Sequence, residues 1–312
     1  MRIYGTDPRG ARRARHMQWA WLFACAIAIV SSGCSDDDTT EPPESFAPPT
    51  DLVVVNSSNE VNLSWDETPD QGLGDFQGYN VYRHTSSMAG MTSTQLRTYL
   101  LPNSSSQVTV AGQVEQYRDA TAVNGTRYYY RVVAVKGGDF DDFSQGIELD
   151  TAPRPEFDSD TVYEFAAANQ PSGLRLQSGN AFRMTSQLLV LADNRDSIDV
   201  YIGTSHATDG GSGTLRLKSP HLVDNSDSAW AGRDADIMYL GNSEDAWDAY
   251  APEATGWADF QDEALTEGAV FAVRTPDGHY AKLRVIDVDG TAPQRQVRFR
   301  IAYQPLPNYP RF

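Results

Sequence analysis

Residue types able to do chemistry are few and scattered in this 312-residue chain. His206, His221 and His279 stand in no His-x-His or His-x-x-x-His spacing, so any metal site must be assembled in space, and no metal ligand is assigned. No Gly-x-Ser-x-Gly lies between a strand and a helix, which removes the signature of a strained serine nucleophile. The run Gly210-Gly211-Ser212-Gly213 is followed by no Gly-Lys-Ser/Thr and reads as a mobile loop rather than a phosphate cradle. Two arrangements remain. Asp245, Asp248, Glu253 and Asp259 could act as the acid and base of a polymer hydrolase, although acids on an amphipathic helix are commonly a solvated face. Trp230, Trp247, Trp257 and Tyr250 offer flat platforms for a sugar or a planar cofactor. A pocket holding two buried carboxylates favours the enzyme, and an aromatic strip favours binding. We adopt the binding reading, with His206, His279, Trp247 and Trp257 as candidate ligand-binding residues, no catalytic residue and no required cofactor.

Cysteine chemistry is confined to Cys25 and Cys34, both near the N-terminus, so no disulfide framework or cysteine nucleophile serves the rest of the chain. Residues 1–18 carry five arginines and one acid, and Trp19 to Val30 is apolar. That is a charged region followed by an apolar run too short to span a bilayer, which needs about 20 residues. Ser31-Ser32-Gly33-Cys34 then resembles a bacterial lipobox, which implies diacylation of Cys34 after removal of residues 1–33. Residues 34–46, with Asp36-Asp37-Asp38 and Glu41-Pro42-Pro43, have almost nothing to bury and read as an acidic disordered tether. The expected location is the bacterial cell envelope, lipid-anchored and facing the periplasm or the exterior.

The elements that must position these residues are strands. With 24 Gly, 17 Pro, 15 Tyr and many short Val/Ile/Tyr/Thr runs, the chain is all-β in character. A net charge of -17 with no basic cluster beyond the leader excludes nucleic acid as a partner. Without residues 1–33, 20 basic residues face 41 acidic ones, so acyl chains and not charge would hold the protein at an anionic membrane.

Between residues 47 and 152, alternation puts Val61, Leu63 and Trp65 on one face, and Tyr128, Tyr130, Val132 and Ala134 on another. The Pro-rich start, Trp65, the Gly78-Tyr79-Asn80-Val81-Tyr82-Arg83 strand and the Gly125-Thr126 to Ala134 strand together resemble a fibronectin type III domain. That resemblance implies an Ig-like sandwich with Trp65, Tyr79, Tyr128 and Tyr130 in its core, and Tyr128 as a corner tyrosine bonding backbone upstream. Such modules serve as adhesive surfaces or spacers. The Pro-spaced junction Ala152-Pro153-Arg154-Pro155 offers few groups to pack and marks a boundary.

Residues 156–312 read as a second β-rich domain, with ten strand runs from Thr161 to Tyr303 and one small helical insertion over Ser243–Leu265. The stretch Gly268 to Val285, with its Thr275-Pro276-Asp277-Gly278 turn and Tyr280-Ala281-Lys282-Leu283, is similar to a segment of HmuY-type haem-binding lipoproteins; that similarity makes haem a further alternative ligand, without assigning its histidines. The functional expectation is a non-catalytic envelope lipoprotein whose sandwich spaces a domain that binds a polysaccharide or protein. The alternative is an envelope hydrolase.

Overall fold

The alternation read from the sequence is realised in a computed structural model, which describes residues 46–102, 115–137, 144–184, 195–205, 209, 212–223, 230, 232–249, 252 and 255–311. Cys34, His206, Tyr250, Glu253, residues 34–45 of the tether and the strand expected at Gln187–Leu191 lie outside the described residues; Phe46, expected to end the tether, is instead buried in the core of the first sandwich.

Among the described residues six strands build the first sandwich: β1 (Thr50–Ser57), β2 (Glu60–Asp66), β3 (Phe76–His84), β4 (Glu115–Asp119), β5 (Tyr128–Lys136) and β6 (Ile147–Thr151). They form two antiparallel sheets, β1-β2-β4 and β3-β5-β6. Inward-facing Val61, Leu63, Trp65, Tyr79, Tyr128, Tyr130, Val132 and Ala134 fill the space between them. Trp65 meets Tyr79 edge to face at 5.5 Å, the favoured geometry for two ring quadrupoles. Strand β5 is buried on its other face too, where Val133 and Val135 pack with Tyr82, Met88 and Leu96. One detail departs from expectation. Among the described residues the Tyr128 hydroxyl meets no backbone acceptor; its ring lies under the Arg83 guanidinium, 4.8 Å away. The Tyr130 hydroxyl reaches back to a side chain, donating to buried Asp119 at 2.7 Å, and the one that meets an upstream backbone carbonyl is that of Tyr117, donating to Pro102 at 2.9 Å.

The second sandwich is assembled from β7 (Glu156–Asp158), β8 (Val162–Tyr163), β9 (Gly173–Leu174), β10 (Ala181–Phe182), β11 (Val200–Thr204), β12 (Leu215–Lys218), β13 (Asp236–Gly241), β14 (Val270–Arg274), β15 (Tyr280–Asp289) and β16 (Gln296–Gln304). One sheet runs β10-β9-β11-β12 and the other β13-β14-β15-β16-β7, with β8 also pairing β16. Leu174, Val200, Ile202 and Leu217 of the first sheet pack on Ile237, Phe271, Leu283, Phe299 and Ile301 of the second. The helical insertion is shorter than expected, Glu244–Asp248, capped by the Ser243 hydroxyl. Beyond it Gly256 takes φ +97°, a conformation that ends a helix, and the chain finds strand-edge partners instead.

The junction between the sandwiches is packed, contrary to the sparse linker expected. Ala152, Pro153 and Arg154 are buried. Arg154 donates to the Asn56 carbonyl of β1, and Gly125 N–H donates to the Pro153 carbonyl at 2.8 Å. After β16 the chain returns to the first sandwich, where Tyr309 Oη donates to Asp150 at 3.1 Å and Arg311 pairs with the same carboxylate. Arg127 Nε also donates to Asp150, at 2.7 Å, and the Arg127 guanidinium lies over the Tyr309 ring at 5.3 Å. Gly125 is needed at this contact: its φ is +73°, and a Cβ there would sit 3.2 Å from Pro305.

Candidate functional site

Among the candidates read from sequence, the structure retires several to structural roles. Trp247, only 4% exposed, plugs the outer face of the larger sheet against Val270 and Ala302, with Arg300 stacked 5.0 Å over its ring. A ligand cannot use a face already covered. Trp230 is likewise buried, in a small cluster with Tyr201 and Ile198. His279 stacks on Tyr303 at 5.4 Å, and its Nδ1 lies 3.2 Å from the Gln304 carbonyl, the surroundings of a packed histidine. Asp245 and Asp248 are exposed on the short helix, so they form no buried acid pair.

Beneath that helix lies a group that sequence reasoning passed over. Lys282 of β15 is fully buried; its Nζ donates to the Trp247 carbonyl at 2.5 Å and to that of Ala249, closing the end of the helix. Burial, and then the neighbouring Arg154 cation, push its amine down to about 7. Arg154 is itself pushed down by burial to about 10, against the pull of Glu156. The smaller sheet holds a second buried lysine, Lys218, whose Nζ meets Asp209 Oδ1 at 2.7 Å while Tyr201 donates to Oδ2 at 2.8 Å. Burial pushes the Tyr201 hydroxyl up, reinforced by Asp209. Asp199 is raised by burial to about 6, against the Leu176 N–H and Arg233. These groups are absorbed by contacts that tie strands together.

What remains chemically open is a corner where both sheets of the second domain end. The segment 258–260 crosses their edge strands: Phe260 bridges Lys218 of β12, and Ala258 bridges Ile237 of β13. Ser219 N–H donates to the Asp259 carbonyl at 2.8 Å, and His221 N–H to the Arg233 carbonyl at 3.3 Å. Three side chains from three segments are thereby brought together. His221 Nδ1 is 2.5 Å from Asp234 Oδ1, and its Nε2 is 3.3 Å from Asp259 Oδ2. Among the described residues this is the one cluster of three or more His, Cys, Asp and Glu side chains with metal-ligand proximity. Asp259 was foreseen as a hydrolytic carboxylate; the sequence named His221 but gave no sign of its partners. Trp257, half-buried edge-on against Tyr280 at 6.0 Å, and Phe260, 44% exposed, flank Asp259 along the same segment. Of the three foreseen tryptophan platforms, Trp257 alone keeps surface to offer.

Ser219, His221 and Asp259 superficially make a nucleophile, base and orienting acid, since Ser219 Oγ is 2.8 Å from His221 Nδ1. The hydroxyl is fully buried, however, and accepts the Ala235 N–H at 2.8 Å, so no substrate carbonyl can reach it. A shallow cleft of about 400 Å³ elsewhere in the domain is bordered by Gly213, Leu265 and Arg295. Arg295 is committed there, to buried Glu164 at 2.6 Å and to the Gly213 carbonyl at 2.8 Å.

The fibronectin type III domain model matches residues 47–150, in line with the first sandwich. A solved Fn3-like protein from Clostridium thermocellum is 28% identical over 34% of this chain and 92% of its own, with a TM-score of 0.25. A solved DUF4466 family protein from Parabacteroides merdae is 10% identical over 86% of this chain and 96% of its own, with a TM-score of 0.33. No curated protein matches the chain. Among the described residues no helix is long and apolar enough to cross a membrane.

Proposed function

We propose that the chain is a non-catalytic lipoprotein of the bacterial cell envelope, anchored through Cys34, in which a fibronectin type III sandwich spaces and orients a β-rich binding domain. The observation that carries this reading is the packed junction. Arg154, Asp150, Tyr309 and Arg311 spend charged and aromatic side chains on joining the two sandwiches. Such an investment suits a support that must hold its distal domain in one orientation. The use of Lys282, Lys218, Asp209 and Asp199 in strand-joining contacts supports a binding rather than a hydrolytic role, with the 257–260 corner as the presented surface for a polysaccharide or protein ligand.

Membrane fractionation of cells expressing the chain and its Cys34→Ser variant tests the anchoring. The parent should partition into detergent-extracted membranes and the variant into the soluble fraction. A variant that remains membrane-bound and unprocessed would overturn the lipoprotein reading.

A further inference from the structure

Each nitrogen of the His221 ring faces a carboxylate, and a neutral imidazole has one N–H to give. The surroundings decide where it goes. Ser219 Oγ also lies 2.8 Å from Nδ1, but it accepts from Ala235 N–H and has the Arg233 carbonyl at 3.3 Å for its own proton, while the shorter Nδ1 contact, 2.5 Å, is to Asp234. The Nδ1 proton is then directed to Asp234 Oδ1, and Nε2 presents a lone pair to the Asp259 carboxylate across 3.3 Å. With the neutral ring's proton on Nδ1, two lone-pair groups face each other at that distance, and a cation between them would satisfy both.

The spacing says which kind. A tetrahedral ion with bonds of about 2.0–2.1 Å to nitrogen and oxygen has an edge of about 3.3 Å between adjacent ligand atoms. That edge matches the observed Nε2–Oδ2 separation. An imidazole nitrogen favours a borderline transition metal over calcium or magnesium, which take oxygen ligands. The outer contact has the usual form as well, since a metal-bound histidine commonly donates its other N–H to a carboxylate that fixes its tautomer. Both ligand-bearing segments are held by main-chain hydrogen bonds, Ser219 to Asp259 and His221 to Arg233, so the edge is formed in advance.

We propose that His221 Nε2 and the Asp259 carboxylate hold a divalent transition-metal ion of the zinc class, with Asp234 as the positioning residue behind the ring. Two protein ligands leave the other coordination positions on the solvent side, where Asp259 is half exposed. The site would therefore accept water or an oxygen donor from a bound molecule. It stands independently of the envelope reading.

Zinc titration of the chelator-stripped full chain by calorimetry tests this, alongside His221→Ala, Asp259→Asn and Asp234→Asn variants whose metal-free melting curves match the parent. One zinc equivalent should be lost in His221→Ala and Asp259→Asn and weakened about 10- to 100-fold in Asp234→Asn. Excess magnesium or calcium should not displace it. Zinc binding unchanged in His221→Ala overturns the proposal. Side-chain 15N NMR gives a second readout that needs no variant: zinc should shift the His221 Nε2 resonance while Nδ1 stays protonated. A ring carrying protons on both nitrogens and indifferent to zinc would show that the missing cation is a proton, and the metal site would fall.

Discussion

Replacing Lys282 by Met should change how stability depends on pH more than it changes shape. The side chain is wholly buried, its Nζ serves two helix-end carbonyls, and burial together with Arg154 lowers its amine from 10.5 to about 7. In the unfolded chain the amine keeps its proton up to about pH 10.5. Between about pH 7 and 10.5 the unfolded chain therefore holds one proton more than the folded chain, and folding gains stability as pH rises. The slope is about 1.4 kcal/mol per pH unit, or on the order of a few kcal/mol across the window. Below about pH 7 both states are protonated and this contribution stays constant at its least favourable. Methionine fills a similar volume without a charge but leaves the Trp247 and Ala249 carbonyls without that donor, at about 1–3 kcal/mol each. These effects oppose one another in absolute stability, so the informative quantity is the parent-minus-variant difference. Urea unfolding at intervals from pH 6 to 10 should show that difference flat below about pH 7 and rising above it in favour of the parent. Because Arg154 lies in the same buried field, the measured midpoint belongs to the pair. A difference that stays flat from pH 6 to 10 would refute the buried-amine reasoning.

Trp65→Ala should cost about 3–5 kcal/mol through lost burial and the cavity left beside Tyr79, whereas Trp257→Ala should cost less; thermal melts compare them directly. Gly203→Ala should destabilise the second domain by about 1–3 kcal/mol or more, because its Cβ would lie 2.3 Å from Asp209 Oδ1; a parent-like melting temperature would show that Asp209 is not seated there. Joint substitution of Tyr309→Phe and Arg311→Ala removes two partners of Asp150 and should cost about 1–3 kcal/mol, separating in calorimetry two transitions that coincide in the parent. An unaltered endotherm would mean that the returning segment contributes nothing to the junction.

Period-two alternation made much of the second domain legible. The last four of the ten strand runs read there became β13 to β16, with Val297, Phe299 and Ile301 facing inward. The sandwich core around Trp65 and Tyr79 was legible for the same reason. Alternation reports which side of a strand is apolar, but not what will cover the polar side. Lys282 falls on the outward parity of β15, and the helix carrying Trp247 buries it. In a chain with three lysines and a strong arginine bias, a lysine kept inside an apolar strand was a signal that could have been used. The junction could not be read from spacing. Arg154 and Asn56 are 98 residues apart, and Arg311 reaches Asp150 across 161. The His221 corner escaped for a related reason, since its three residues share no element and meet through edge-strand bridges.

The returning segment also bears on how such a protein can be inherited. A module that travels freely between genes carries its own surface with it and asks nothing of its new neighbour. Here recombination at the proline-spaced boundary would separate Asn56, Gly125 and Asp150 from Arg154, Pro305, Tyr309 and Arg311, leaving charged groups without the surfaces they pack on. The two sandwiches are thus tied as one heritable unit. Substitutions on either side of the junction should be tolerated in pairs, and a sandwich transplanted from an unrelated chain would need both sides of this contact rebuilt.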